Sequence, residues 1–262
     1  MDTQNRQQKP LLQPLHCNHD HYWMALHTLY QHTRCQEILG KWIDEEFEPY
    51  VGKVLSEKFG NKLDNDPLRV LGVGSSEGYL EILQLKKLKT EFSRISANVI
   101  EPSTRRISEY QETVREKSSE ITGIEYEWYN QTFQEFVTSK EAGQKYHFIS
   151  IIHAIYFAGE LEDAVKRLYN FLQPGGIMFM VVMTENSGYG LVVKTFPRLA
   201  VEEPNPRTTT ESQAVKTNHI INSTDVKSVL SKYKIAYTQS FVPDSIDLTT
   251  CFTEEEMTPQ TS

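Results

Sequence analysis

The stretch Val70-Leu-Gly-Val-Gly-Ser-Ser-Glu-Gly78 decides how this chain reads. Leu68–Val73 has the apolar run of a buried strand. The run then breaks at Gly72, Gly74 and Gly78 before a helical pattern over Glu77–Leu88. Glycine lets a backbone come close to a ligand, and the helix that follows presents unpaired N–H groups. The dinucleotide fingerprint G-x-G-x-x-G is broken by Glu77, and no GK[ST] of a phosphate P-loop is present. A glycine turn without a pyrophosphate pattern suits a nucleoside that carries an amino-acid tail.

Outward from this turn, short apolar runs alternate with helical ones. Strands are expected at Ile95–Ile100, Ile124–Tyr129, Phe148–Ile152 and Ile177–Met183. Helices are expected around Ile107–Val114, Phe133–Val137 and Leu161–Leu172. Repeated strand–helix units imply an α/β fold, a doubly wound and mostly parallel sheet with helices on both faces. Ahead of the first strand, Leu26, Leu29, Tyr30, Ile38, Trp42, Ile43, Phe47 and Val51 recur at helical spacing, giving two helices broken near His32–Arg34 or at Pro49. Behind the fifth strand, a Gly- and Pro-rich stretch reads as an insertion, partly helical at Leu191–Phe196. A helix over Thr224–Tyr233 with Ser223 as its N-cap and a sixth strand over Ile235–Val242 complete the pattern. The division is a flexible arm at 1–18 and a single domain over 19–262. Within it lie a helical cap (19–60), a core (68–183), an insertion (184–222) and a final helix and strand (223–252).

Composition narrows the function. Lys and Arg number 27 against 35 Asp and Glu, a net charge of −8, which argues against a nucleic-acid partner. No window approaches the ~20 apolar residues of a membrane-spanning helix, and the N-terminus lacks a signal-peptide pattern. Cys17, Cys35 and Cys251 are widely spaced and odd in number. They read as reduced thiols of a cytoplasmic protein, not as a disulfide framework or a metal site.

Two further motifs accompany the glycine turn. Glu101 ends the second strand in Asn98-Val-Ile-Glu-Pro102, where a carboxylate accepts both hydroxyls of a ribose. Leu172-Gln-Pro-Gly-Gly176 is a turn signal ahead of the fifth strand. In this order and spacing the three resemble the class I S-adenosylmethionine-dependent methyltransferases, with their Rossmann-like sheet. A narrower resemblance to histamine N-methyltransferases runs through Val99-Ile-Glu-Pro-Ser103 with Ile107 and Tyr110. It continues in Ile151–Phe157, Asn186-Ser-Gly188 and Asp247-Leu-Thr-Thr-Cys-Phe252, and reaches His19 and Tyr22 in the N-terminal helices.

That resemblance implies an S-adenosylmethionine-dependent N-methyltransferase acting on an imidazole ring nitrogen of histamine or a related amine. The other readings are another imidazole substrate such as carnosine, and a non-catalytic cofactor-binding protein. It implies Gly72, Gly74, Gly78, Glu101 and Ile152 on the cofactor side. The family's Gln after the second strand aligns with Arg106, and its Ser after the third aligns with Phe133, beside Thr132. On the substrate side it implies Tyr22, Cys35, His153, Phe157, Tyr189 and Phe252. Cys35 stands where the family has an amine-holding Glu, and His153 where it has a Gln. Glu37, two positions on, faces well away from Cys35 because a helix turns about 100° per residue. No metal and no general base are expected, because a neutral imidazole nitrogen is itself a nucleophile. The family's last strand, with its substrate-contacting Asn, is not found before Ser262, leaving six strands. A monomer is the family expectation.

Overall fold

In the computed structural model of the protein, the described residues are 27, 33–63, 66–139, 143–188, 190 and 221–243. The centre is a five-stranded sheet of β1 (Leu68–Val73), β2 (Ile95–Ile100), β3 (Ile124–Tyr129), β4 (Tyr146–Ile152) and β5 (Leu172–Val181). Its order is β3-β2-β1-β4-β5, and every pairing is parallel. β1 therefore has a strand on each side, running from Leu68↔Ile95 to Val73↔Ile100 against β2 and from Val70↔Phe148 to Val73↔Ile151 against β4. Leu68, Val70 and Leu71 are fully buried, which is why this strand reads as an unbroken apolar run.

Each crossover is helical: α3 (Tyr79–Glu91) joins β1 to β2, α4 (Thr104–Glu116) joins β2 to β3, and the short α5 (Phe133–Phe136) precedes β4. α6 (Leu161–Phe171) leads into β5, and α7 (Ser223–Lys232) packs beside α6 through Val165, Val226 and Leu230. Ahead of β1, α1 (Cys35–Phe47) runs through a π-helical turn at Glu48–Gly52 into α2 (Lys53–Phe59). Pro49 does not break the helix, because it lies in the first turn of the π segment. Ile43, Phe47, Val51, Leu55 and Phe59 enter the same core cluster as Leu68, Leu85 and Phe148. The ring of Phe47 meets those of Phe148 and Phe179 edge-on, with centroids at 5.6 and 5.8 Å.

Three expectations are corrected. The segment Ile235–Val242 forms no strand. A strand needs a neighbour to take its N–H and C=O groups, none among the described residues lies beside it, and Tyr237 and Phe241 stand exposed. Ser223 is the first residue of α7, and Asn222 is its cap: the Asn222 side chain accepts from Thr224 and Asp225 N–H, and Asp225 returns a bond to Asn222 N–H. Leu172-Gln-Pro-Gly-Gly176 is not a turn ahead of β5 but a bulge inside it, since Tyr146 pairs with Leu172 while Phe148 pairs with Ile177. Gly175 takes a φ of 89° there. The Leu191–Phe196 helix and the N-terminal helical pattern before residue 33 lie outside the described residues, His27 excepted.

Truncating Phe47 tests how firmly α1 is built into the sheet. Phe47→Ala should cost about 3–5 kcal/mol, read as a lower urea midpoint with an unchanged slope.

Candidate functional site

β1 ends at the carboxyl edge of the sheet, the edge where α/β folds bind ligands. Gly74 has a φ of 66°, donates its N–H to the Ile100 carbonyl at 2.9 Å, and lies so close to the end of β4 that a Cβ would stand 2.5 Å from that of Ala154. Gly78 begins α3 with a φ of 78°, and a Cβ there would stand 2.2 Å from the Tyr110 ring. Between them Ser76 adopts a φ of 52°, unusual for a residue with a side chain. The buried carboxylate of Glu101, at the end of β2, holds this strained residue. One of its oxygens accepts from Ser76 N–H at 2.8 Å, and the other accepts from Ser103 N–H at 2.9 Å. Burial pushes the Glu101 carboxyl up, and these two bonds and the charge of Arg106 oppose it.

A cavity opens over this turn. Gly74, Ser75, Ser76 and Glu77 line it from the loop, Ile152 and His153 from the end of β4, Cys35 and Gln36 from α1, and Glu81 from α3.

No protein-family model matches the chain. Histamine N-methyltransferase B of Xenopus laevis is 23% identical over 251 residues, which cover 93% of this chain and 78% of that relative. Carnosine N-methyltransferase 2 of Gallus gallus is 24% identical over 215 residues, 80% of this chain and 62% of that relative. Among solved structures, the plantazolicin methyltransferase BpumL, crystallised with a triazolic desmethylPZN analogue and SAH, superposes with a TM-score of 0.50 at 11% identity. That superposition covers 84% of this chain and 71% of BpumL.

The chain is similar to histamine N-methyltransferases and has the class I methyltransferase fold.

Within this methyltransferase fold, the residues singled out in the sequence fall into three groups. Gly74, Ile152, Cys35 and His153 meet at the cavity. Gly72, Gly78, Glu101 and Arg106 lie behind it and shape it. The place of a Gly72 Cβ is taken by the Glu81 carboxyl, whose Oε2 would be 2.0 Å away. The Arg106 guanidinium bridges Glu77 at 3.3 Å and Glu109 at 3.0 Å. Thr132, Phe133 and Phe157 make up the third group. Thr132 caps α5, its hydroxyl donating to Glu135 at 2.8 Å. Phe133 is buried in a core cluster, its ring edge-on to Phe171, and Phe157 is 53% exposed. Tyr22, Tyr189 and Phe252 lie outside the described residues.

One end of the cavity joins α1 to β4. His153 holds a left-handed φ of 51°, with its N–H on the Val181 carbonyl at 3.0 Å. Its Nε2 lies 3.8 Å from Cys35 Sγ, and its Nδ1 lies 3.4 Å from the Tyr156 hydroxyl, which accepts from Met183 N–H at 2.8 Å. Cys35 is partly accessible. Glu37 stands on the solvent side in a two-bond pair with Arg34.

Two cavity residues, Gln36 and Glu81, belonged to no motif in the sequence. Gln36 donates to Glu77 at 3.2 Å. Burial pushes the Glu77 carboxyl up, but hydrogen bonds from Ser76 and its own backbone, with the Arg106 charge, leave it below the usual carboxylate range. Glu81 is 5% exposed and accepts from the Ser75 hydroxyl at 2.5 Å and the Tyr110 hydroxyl at 3.3 Å. Burial raises its pKa to about 7. The signal was an acid inside the apolar run Leu80–Leu85, where an unpaired charge is costly.

Gly78→Ala places a methyl group on the Tyr110 ring at a left-handed φ. It should destabilise by about 2–4 kcal/mol. Gly143→Ala, with no atom within 4 Å of the added carbon, should leave the melting temperature unchanged in the same thermal scan.

Proposed function

We propose that the protein is an S-adenosylmethionine-dependent small-molecule N-methyltransferase that methylates an imidazole ring nitrogen. The observation that carries this reading is the bond between the Glu101 carboxylate and the glycine loop, at the ends of two adjacent parallel strands over one cavity. A carboxylate has about four acceptor sites, and the two backbone N–H groups on Glu101 leave room for the two hydroxyls of a ribose. The left-handed loop at Gly74 leaves its backbone open to an amino-acid tail, with Ile152 on the neighbouring strand against the nucleoside. The residues at the cavity therefore fit the group, with Gly72, Gly78 and Arg106 holding the loop; Thr132 and Phe133, which the resemblance puts on the adenine side, are taken up by the cap of α5 and a core cluster. When bound, S-adenosylmethionine supplies a methyl group activated on a sulfonium.

The chain's own contribution is alignment. Holding an acceptor nitrogen in line at close range is worth up to ~7–11 kcal/mol of the barrier in favourable cases. The methyl carbon bonds to the imidazole nitrogen as the carbon–sulfur bond breaks, and the imidazolium formed then gives its ring proton to water. Among the described residues no cluster of metal ligands is present, and this transfer needs none. His153, Cys35 and Phe157 would face the acceptor, with Tyr22, Tyr189 and Phe252 as aromatic walls suited to a cationic tail.

The likeness to histamine N-methyltransferases supports histamine as acceptor, and Cys35 beside His153 favours a different imidazole compound. A primary ammonium buried against a thiol and an imidazole lacks the carboxylate it needs, which costs several kcal/mol. An imidazole dipeptide such as carnosine has a neutral amide nitrogen where histamine has its ammonium and carries its own ammonium farther from the ring, and a carnosine N-methyltransferase is among the relatives. The reading includes a monomeric cytoplasmic protein, one domain over 19–262, and no nucleic-acid partner, the last supported by the net charge of −8. No helix among the described residues is long and apolar enough to cross a membrane.

Transfer of labelled methyl groups to a panel of imidazoles and other amines tests the reading. Turnover of an imidazole compound supports it; cofactor binding without turnover of any acceptor would leave a non-catalytic binding protein. Glu101→Ala should weaken S-adenosylmethionine binding at least tenfold in calorimetry while the fold persists. Cys35→Glu should lower the Michaelis constant for histamine. A micromolar constant for histamine in the unmodified chain would overturn the preference for another imidazole.

A further inference from the structure

The floor of the cavity holds a carboxyl that the sequence motifs did not single out. Glu81 lines the cavity from the first turn of α3 and is 5% exposed. Its hydrogen-bond partners among the described residues are two neutral hydroxyls, those of Ser75 and Tyr110. The strand beneath it has no side chain at Gly72, so the carboxyl fills that space against β1. Among the described residues, Glu101 from β2, Tyr110 from α4 and Tyr126 from β3 face it, and Glu77, Cys35 and His153 line the same cavity. Arg106 bridges Glu77 and Glu109, and among the described residues no ion pair forms at Glu81. A carboxyl so buried, with hydroxyls as its donors, has its charged form disfavoured.

We propose that Glu81 is the charge-sensing residue of this pocket, giving up its proton when a sulfonium ligand binds and keeping it when the thioether product does. The inference rests on the pocket being a site for S-adenosylmethionine. That cofactor and its demethylated product carry the same nucleoside, ammonium and carboxylate, and differ by one positive charge on sulfur. A positive charge in the cavity favours the ionised carboxylate, so a group that burial holds near pH 7 loses its proton on binding. The sign follows from linkage. Release of a proton makes binding tighten as pH rises toward 7, and the dependence levels off above that, where Glu81 is already ionised in the free protein. The product, lacking the sulfonium, gains nothing from the ionised carboxylate. Glu81 thereby sets the preference for substrate cofactor over product and favours release of the spent one.

Calorimetry at pH 6.5, in two buffers of different ionisation enthalpy, counts the protons. At that pH the α-ammonium of each ligand remains protonated and cancels from the comparison. Binding of S-adenosylmethionine should release roughly half a proton or more, and binding of S-adenosylhomocysteine clearly less. The dissociation constant of S-adenosylmethionine should fall several-fold between pH 6 and 7 and change little between 7.5 and 8. Glu81→Gln should abolish the release and flatten the profile while both ligands still bind. If that variant fails to fold, Ser75→Ala, which removes one neutral partner of the carboxyl, should shift the midpoint of the wild-type profile. Equal proton release by the two ligands, no release by either, or release that persists in Glu81→Gln would overturn the proposal. Failure of both ligands to bind the wild type would instead overturn the cofactor reading beneath it.

Discussion

A parallel strand paired on both sides has nowhere to turn until it leaves the sheet. β1 is in that position, with β2 pairing along its whole length, β4 pairing from Val70 to Val73, and its apolar side chains buried. Its exit at Gly74 must therefore be abrupt, and the chain reverses into α3 through left-handed residues at 74, 76 and 78. Two of these are glycines, which adopt such a backbone freely. Ser76 is not, and the left-handed region costs an ordinary residue roughly 1–2 kcal/mol. The compensation comes from the neighbouring strand, where Glu101 accepts the Ser76 N–H. The shape of the cavity, the placing of α3 and the accessibility of the loop backbone all follow from this one exit.

The same exit gathers three carboxyl groups whose surroundings set them apart. Glu77 reaches Arg106 and Gln36 and is held ionised. Glu101 is buried, but two backbone N–H groups meet its oxygens. Glu81 has hydroxyls alone, and burial prevails. Identical side chains around one strand exit thus differ in how firmly they hold a proton because donors are distributed unequally among them.

Much of the fold was legible because periodicity is a local signal. β1, β2 and β3 have the bounds expected from their apolar runs, and α6 ends within one residue of the expected place. The misreadings arose where structure depends on a distant partner. Ile235–Val242 has the alternation of a strand, but a ladder is made by two segments and only one is present among the described residues. Leu172–Gly176 has turn residues, yet its ends pair with β4, so the glycines make a bulge. The site divides in the same way. Gly74 and Glu101 announce themselves through strand ends, whereas Glu81 matters because Gly72 and Tyr110, nine residues before it and 29 after it, leave it a dry niche. The proximity of Cys35 to His153 joins positions 118 residues apart, which no spacing rule reveals.

Charge also distinguishes the two ends of the cavity. Its floor carries Glu81, and the wall opposite carries Cys35 and His153, with Tyr156 behind. On the proposed reaction, positive charge leaves sulfur and arrives on the acceptor nitrogen. It moves away from the one carboxyl in the cavity that has no donor stronger than a hydroxyl. A fixed carboxylate at the floor would hold the sulfonium in place and so oppose that movement, since charge stabilised in the ground state must be given up in the transition state. A carboxyl that burial leaves partly protonated holds the sulfonium less strongly than a fixed carboxylate, because part of the attraction goes into ionising it, and a proton from solvent restores its neutral form once the charge has gone. At the other wall, with Cys35 and His153 in place of an acid, the new imidazolium loses its proton to water instead of being held by a buried carboxylate.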